Sequence, residues 1–207
     1  MVRGMRPVAT LRALGRPLVS QAGFTLVELV VTMAILLIVV SALTGALVSA
    51  THTEADLNNR YQTQSQARLA MSKVVKEVHC ASTITDTSSP AVTLSSWTSA
   101  KNAVALTLPN GCSTGSGTVY WCTNASGAKW NLYRQTAWTG SCSGGIKWAY
   151  GLTSAAPFSL PSGIANLPTT AHYPLLHVAL AVNALKSGSS GAYQLTDDVA
   201  ALNAARS

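Results

Sequence analysis

Charge is scarce in this chain of 207 residues, where Asp, Glu, Lys and Arg together make up 10%. The scarcity is uneven. Met1 to Gly23 contains no acidic residue, although Arg3, Arg6, Arg12 and Arg16 are all there. From Phe24 to Val48 the one ionisable side chain is Glu28. Cysteine is absent before Cys80, which excludes a lipoprotein anchored beside the apolar run. Proline and glycine are missing from Thr51 to Ser82, so nothing in that stretch interrupts a helix. No Cys-x-x-Cys occurs and the His residues are dispersed, which argues against zinc. Outside the leader, Lys101, Lys129, Arg134, Lys147, Lys186 and Arg206 are scattered, giving nucleic-acid binding little support.

What is present is a basic leader followed by an apolar run of membrane length. The formal net charge of +7 is partly a property of that leader, which holds four of the fourteen basic residues. By the positive-inside rule the leader stays cytoplasmic and everything after Val48 is exported. A carboxylate within such a run costs roughly 2.5–3.5 kcal/mol at mid-bilayer, so Glu28 reads as functional. The alternatives are that it merely reaches the headgroups, or that the run is an ordinary secretory signal cut near Val48-Ser49-Ala50. Ordinary signals have apolar regions of about 7–15 residues. This one is longer and contains a carboxylate that such a signal does not need.

The stretch Gly23-Phe24-Thr25-Leu26-Val27-Glu28 resembles the processing motif of type IV prepilin-like proteins, the class of minor pilins and type II secretion pseudopilins. The resemblance implies a prepilin peptidase that cuts between Gly23 and Phe24 and N-methylates the new Phe24 amine. Cleavage before the apolar segment leaves the membrane helix in the product. The resemblance further implies that Glu28 pairs with the N-terminal amine of a neighbouring subunit and sets axial register during assembly. A carboxylate buried among apolar helices needs such a cation. Implied partners are other pilins or pseudopilins, an inner-membrane assembly platform and membrane lipid. Gly45 falls where many pilins place a helix-bending proline.

Helical signals continue past the membrane. Leu57, Gln64, Met71 and Val78 recur every seven residues, with Ala67 and Val74 between them, giving one apolar stripe interrupted only by Gln64. Asp56 and Arg60 form an i,i+4 pair, as do Lys73 and Glu77 in the less favourable order. A helix from Phe24 to about His79 would be roughly 84 Å long. After Ser82 the composition shifts toward Ser, Thr, Gly and aromatics. Val104, Leu106 and Leu108 alternate, as do Trp130, Leu132 and Arg134, and Leu176, Val178, Leu180 and Val182. Turns are expected at Gly111–Gly117, Gly140–Gly145 and Gly188–Gly191, the last joining a terminal hairpin of a run ending near Leu185 and Tyr193–Leu202. The expected fold is α+β, a long helix packed on an antiparallel sheet. Its segments are a leader (1–23), a membrane and filament-core helix (24–48), an exported amphipathic helix (49–82) and an exported β-rich domain (83–207). The stretches Gln66–Met71, Lys76–Ala81 and Asn131–Arg134, with the terminal strands, resemble the J-type pseudopilins and their pilus counterparts.

Cys80, Cys112, Cys122 and Cys142 all lie in the exported part and read as two disulfides with three possible connectivities. The preferred pairing is Cys80–Cys112 with Cys122–Cys142, because it tacks the helix end to the sheet. His172 and His177 with Asp197 or Asp198 are a conceivable catalytic set, but no nucleophile motif accompanies them. Asp197-Asp198 is a weak calcium candidate, and the five Trp residues read as core or half-buried strand residues rather than a sticky tip. No cofactor or metal is called for. Three function classes follow in order: a structural assembly subunit, an adhesive or DNA-binding tip subunit, and a membrane-tethered enzyme.

Overall fold

The computed structural model describes residues 23–88, 91, 93–142, 144–161, 173–184 and 192–204. These fall into two compact units divided between Ser49 and Ala50. One helix, α1 (Leu26–Cys80), supplies the first unit and opens the second. In the first unit every described side chain up to Ser49 is exposed, including Leu36, Leu37 and Ile38. No described residue covers that apolar surface, and its most apolar 18 residues reach a mean hydropathy of 2.8. Length and composition together suffice to cross a membrane.

In the second unit α1 buries Thr63, Ala67, Ala70, Met71, Val74, Glu77 and Val78. These recur every three or four residues and form one face. The stripe differs from the sequence expectation at its start. Leu57 is 61% exposed, because burial by the sheet begins only at Thr63. Small Ala67 and Ala70 and the larger Met71, Val74 and Val78 together make up the apolar part of that covered face.

The partner of that face is an antiparallel sheet. Its strands are β1 (Thr83–Thr85), β2 (Ala103–Leu108), β3 (Gly117–Ser126), β4 (Lys129–Gln135), β5 (Ile146–Leu152), β6 (Phe158–Ser159), β7 (Leu175–Val182) and β8 (Tyr193–Ala200). The order is β1-β2-β3-β4-β5-β7-β6, with β8 paired to β7. Backbone bonds between Lys101 and Phe158 tie β6 back to the residues before β2. Alternation sorts the side chains. Val104, Leu106, Val119, Trp121, Leu132, Leu176, Val178 and Leu180 are all buried in the core with the helix. Tyr120, Asn124, Asn131, Tyr133 and Lys147 alternate onto the opposite face, where register sets Asn124 against Asn131 and Tyr133 against Lys147. The terminal hairpin is present as the β7–β8 pair, from Leu175↔Ala200 to Val182↔Tyr193; its expected turn at Gly188–Gly191 lies outside the described residues. The α+β arrangement is the one expected, a long helix followed by an antiparallel sheet.

Two glycines are required by geometry. Gly127 turns the tight β3–β4 hairpin with φ 64°, a conformation costly for other residues. At Gly145, entering β5, a Cβ would stand 2.7 Å from the Arg134 carbonyl oxygen.

Candidate functional site

The first turn of α1 is organised by two side chains. The Glu28 amide donates to Thr25 Oγ1 at 3.3 Å, and the Thr25 amide donates to Glu28 Oε2 at 3.1 Å. This reciprocal arrangement is a capping box, which satisfies two of the amides a helix start leaves unpaired. The Thr25 hydroxyl adds a third bond to the same Glu28 oxygen at 3.1 Å. Glu28 therefore sits where the positive end of the helix dipole favours a carboxylate. One of its oxygens is committed to its own helix. Phe24, next to the cap, is 83% exposed. Thr25 was not among the residues expected from the sequence, although the Thr-x-x-Glu spacing is its local signal.

Residues 19–44 match the family model for the prokaryotic N-terminal methylation motif. The chain carries a prepilin-type N-terminal methylation motif. No curated protein and no solved structure matches it. The motif supports a type IV pilin-like subunit and points to a structural pilin rather than an enzyme. It implies processing by prepilin peptidase and assembly with other pilins. The apolar part of α1 and the motif together fit a single-pass inner-membrane anchor with an exported domain, and the α+β arrangement is like that of type IV pilins.

Among the described residues of the second unit, a polar cluster centres on Glu77, which is wholly buried. Trp121 Nε1 donates to it at 2.8 Å, Arg134 Nε at 2.9 and 3.2 Å, and Lys73 Nζ lies 3.3 Å away. Of these contacts, the Lys73–Glu77 pair is the one that helical spacing reveals. Arg134 reaches Glu77 from β4, a contact that helical spacing cannot reveal. The cluster has the composition of a register lock between helix and sheet.

Disulfides join Cys80 to Cys112 and Cys122 to Cys142. The first ties the end of α1 to the turn after β2. The second holds the 136–142 loop against β3. His177 Nδ1 lies 2.5 Å from Asp198 Oδ1, and Ser159 stands opposite His177 in register. The row has the residue types of a triad, but the acid is 54% exposed and the pair lies on an open strand face. A pair so exposed is worth little. Asp197 is exposed, and no group of three or more metal-ligating side chains gathers among the described residues. His172 lies outside them.

Trp97 and Trp121 are core residues, and Trp130 and Trp148 pack against the core. Trp138 is different. It sits in the loop after β4, half-buried, and stacks on Tyr120 with ring centroids 5.6 Å apart.

Proposed function

We propose that the chain is a minor pilin or pseudopilin of the J-type subgroup, stored in the cytoplasmic membrane and drawn into a thin pilus-like filament. The observation that carries this reading is the Gly23–Glu28 motif at the start of one helix that continues into the exported unit. Prepilin peptidase cuts after Gly23 and methylates the Phe24 amine, leaving the anchor in place. The assembly platform then extracts Phe24–Val48 from the bilayer into a core of packed helices. In that core the free oxygen of Glu28 accepts the amine of a neighbouring subunit, which fixes axial register and removes the cost of an uncompensated charge. The capping box supports this mechanism because it points the carboxylate toward the N-terminal end of the helix before any neighbour arrives.

Mass spectrometry of the mature protein tests the processing step. The expected N-terminus is N-methylated Phe24. A mature chain that begins near Thr51 would replace this reading with an ordinary secretory signal.

A further inference from the structure

The face of the sheet turned away from α1 carries a feature unconnected with processing or assembly. Between Asp86 and Asp197 the sequence contains no acidic residue. All of β2 to β7 falls inside that interval. Asp86 itself is buried and engaged by Lys101 Nζ at 3.1 Å, so it adds no open negative charge.

Two clefts lie side by side on this face. The first, of about 360 Å³, is lined by Thr87, Asn102, Asn124, Trp138 and Ser141, beside the Cys122–Cys142 disulfide. The second, of about 300 Å³, is lined by Ser126, Lys129, Asn131, Lys147 and Tyr150. Asn124 of the first and Asn131 of the second are direct cross-strand partners. The clefts therefore adjoin across one strand spacing, about 4.8 Å. Each is at the small end of ligand-sized cavities, which span about 300–1,000 Å³. Together they offer room for an extended ligand of at least two small units.

The chemistry of the two clefts differs. The first is uncharged, with an aromatic ring, two carboxamides and three hydroxyls, of which that of Thr123 is given to the Asn102 and Ala155 carbonyls. An indole backed by Tyr120 presents a rigid apolar plate, and the amides and hydroxyls around it pair with neutral hydroxyl groups. The second adds the ammonium groups of Lys129 and Lys147, the former donating to the Asn183 carbonyl at 2.6 Å. Lys147 is exposed and has no carboxylate within the interval to compete for it. Hydroxyl-rich units with apolar ring faces, joined to a carboxylate-bearing unit, describe an acidic oligosaccharide. Single-stranded nucleic acid fits less well. It needs phosphate partners along its whole path, and the first cleft has no cation.

We propose that the outer face of β3–β5, from Trp138 to Lys147, binds acidic oligosaccharides, with Trp138 stacking on a neutral ring and Lys147 pairing with a uronate carboxylate. The disulfide-held loop keeps Trp138 in place before the ligand arrives, which lowers the ordering cost of binding.

The test uses the full mature chain in detergent micelles, with a hyaluronan tetrasaccharide, in which uronate and neutral units alternate, its methyl ester and the oligonucleotide dT10 as probes in isothermal titration. The tetrasaccharide is expected to bind, and its methyl ester to bind about tenfold more weakly, the loss of one charge-assisted contact. Trp138→Ala and Lys147→Gln are each expected to weaken tetrasaccharide binding by about tenfold. Lys147→Gln alters an exposed side chain and leaves the melting temperature unchanged, so its result stands even if Trp138→Ala perturbs the loop. No binding of the tetrasaccharide, equal binding of acid and ester, or insensitivity to Lys147→Gln would overturn the proposal. Tighter binding of dT10 with the same dependence on Lys147 would overturn it in favour of nucleic acid.

Discussion

Glu77 and Glu28 are two carboxylates on one helix with opposite surroundings. Glu77 is enclosed and saturated by Trp121, Arg134 and Lys73. Removing the carboxylate strands the mostly buried Arg134 guanidinium without its anion, a loss of about 3–5 kcal/mol. Glu77→Ala is therefore expected to lower stability by that amount. Glu77→Leu with Arg134→Met is expected to cost less than the sum of the two single changes, because no charge is left stranded. Chemical denaturation of the four proteins of that cycle measures the coupling; additivity would show that Glu77 and Arg134 do not act as a pair. Glu28 is exposed and only half satisfied. Glu28→Ala is expected to leave cleavage after Gly23 intact and abolish incorporation into filaments, read by N-terminal sequencing and by immunoblot of sheared filaments. Thr25→Ala removes the cap without the charge, at a cost to the helix start of about 1 kcal/mol. It is expected to reduce incorporation less than Glu28→Ala does; an equal loss would place the function in the cap rather than in the carboxylate.

Among the elements, the two disulfides close spans of similar size, with sequence separations of 32 and 20. Loop-closure entropy alone distinguishes them by only about 0.4 kcal/mol. Their positions distinguish them more. Cys80–Cys112 fixes the last turn of α1, where Asn203 Nδ2 also donates to the Cys80 carbonyl at 2.9 Å. Cys122–Cys142 holds the loop that carries Trp138. Replacing Cys122 and Cys142 with Ser is expected to cost about 2–4 kcal/mol and to shift tryptophan fluorescence to the red as Trp138 leaves Tyr120. The Cys80/Cys112 double variant is expected to lose similar stability without that red shift at temperatures where it remains folded. Strands were legible in the sequence wherever alternation was regular. The run Leu176, Val178, Leu180 and Val182 is buried residue for residue. Less legible was the lower end of the helical stripe. Leu57 has the right spacing, but where the sheet begins to cover a helix depends on pairings between residues far apart in the chain. The same limit hid Arg134 as the partner of Glu77. Thr25 carries no charge, but its capping-box spacing to Glu28 is a local signal readable in the sequence.

For the molecule as a whole, the division between Ser49 and Ala50 separates two ways of satisfying apolar surface. Before it, Leu26–Val48 is exposed and apolar, and only lipid or other helices can cover it. After it, the apolar face of α1 from Thr63 to Val78 is covered by strands of the same chain. Arg68 Nε donates to Tyr193 Oη at 3.0 Å, and the His79 ring lies 2.9 Å from the Ala200 carbonyl oxygen, so β8 also holds the helix. If the second unit owes its stability to these contacts, a chain beginning at Ala50 will fold without a membrane. The expected outcome, in an oxidising compartment, is a soluble domain with a single cooperative thermal transition and both disulfides formed. Its melting temperature is expected to lie within a few degrees of that of the mature chain in detergent. A chain beginning at Ser82 lacks Ala67, Ala70, Met71, Val74 and Val78, which together supply one side of the core. That shorter chain exposes the buried row of Val104, Leu106, Trp121 and Leu132, and is expected to aggregate. A folded, soluble product from Ser82 would mean that the sheet does not need the helix. The second half of α1 would then serve only to connect the anchor to the domain.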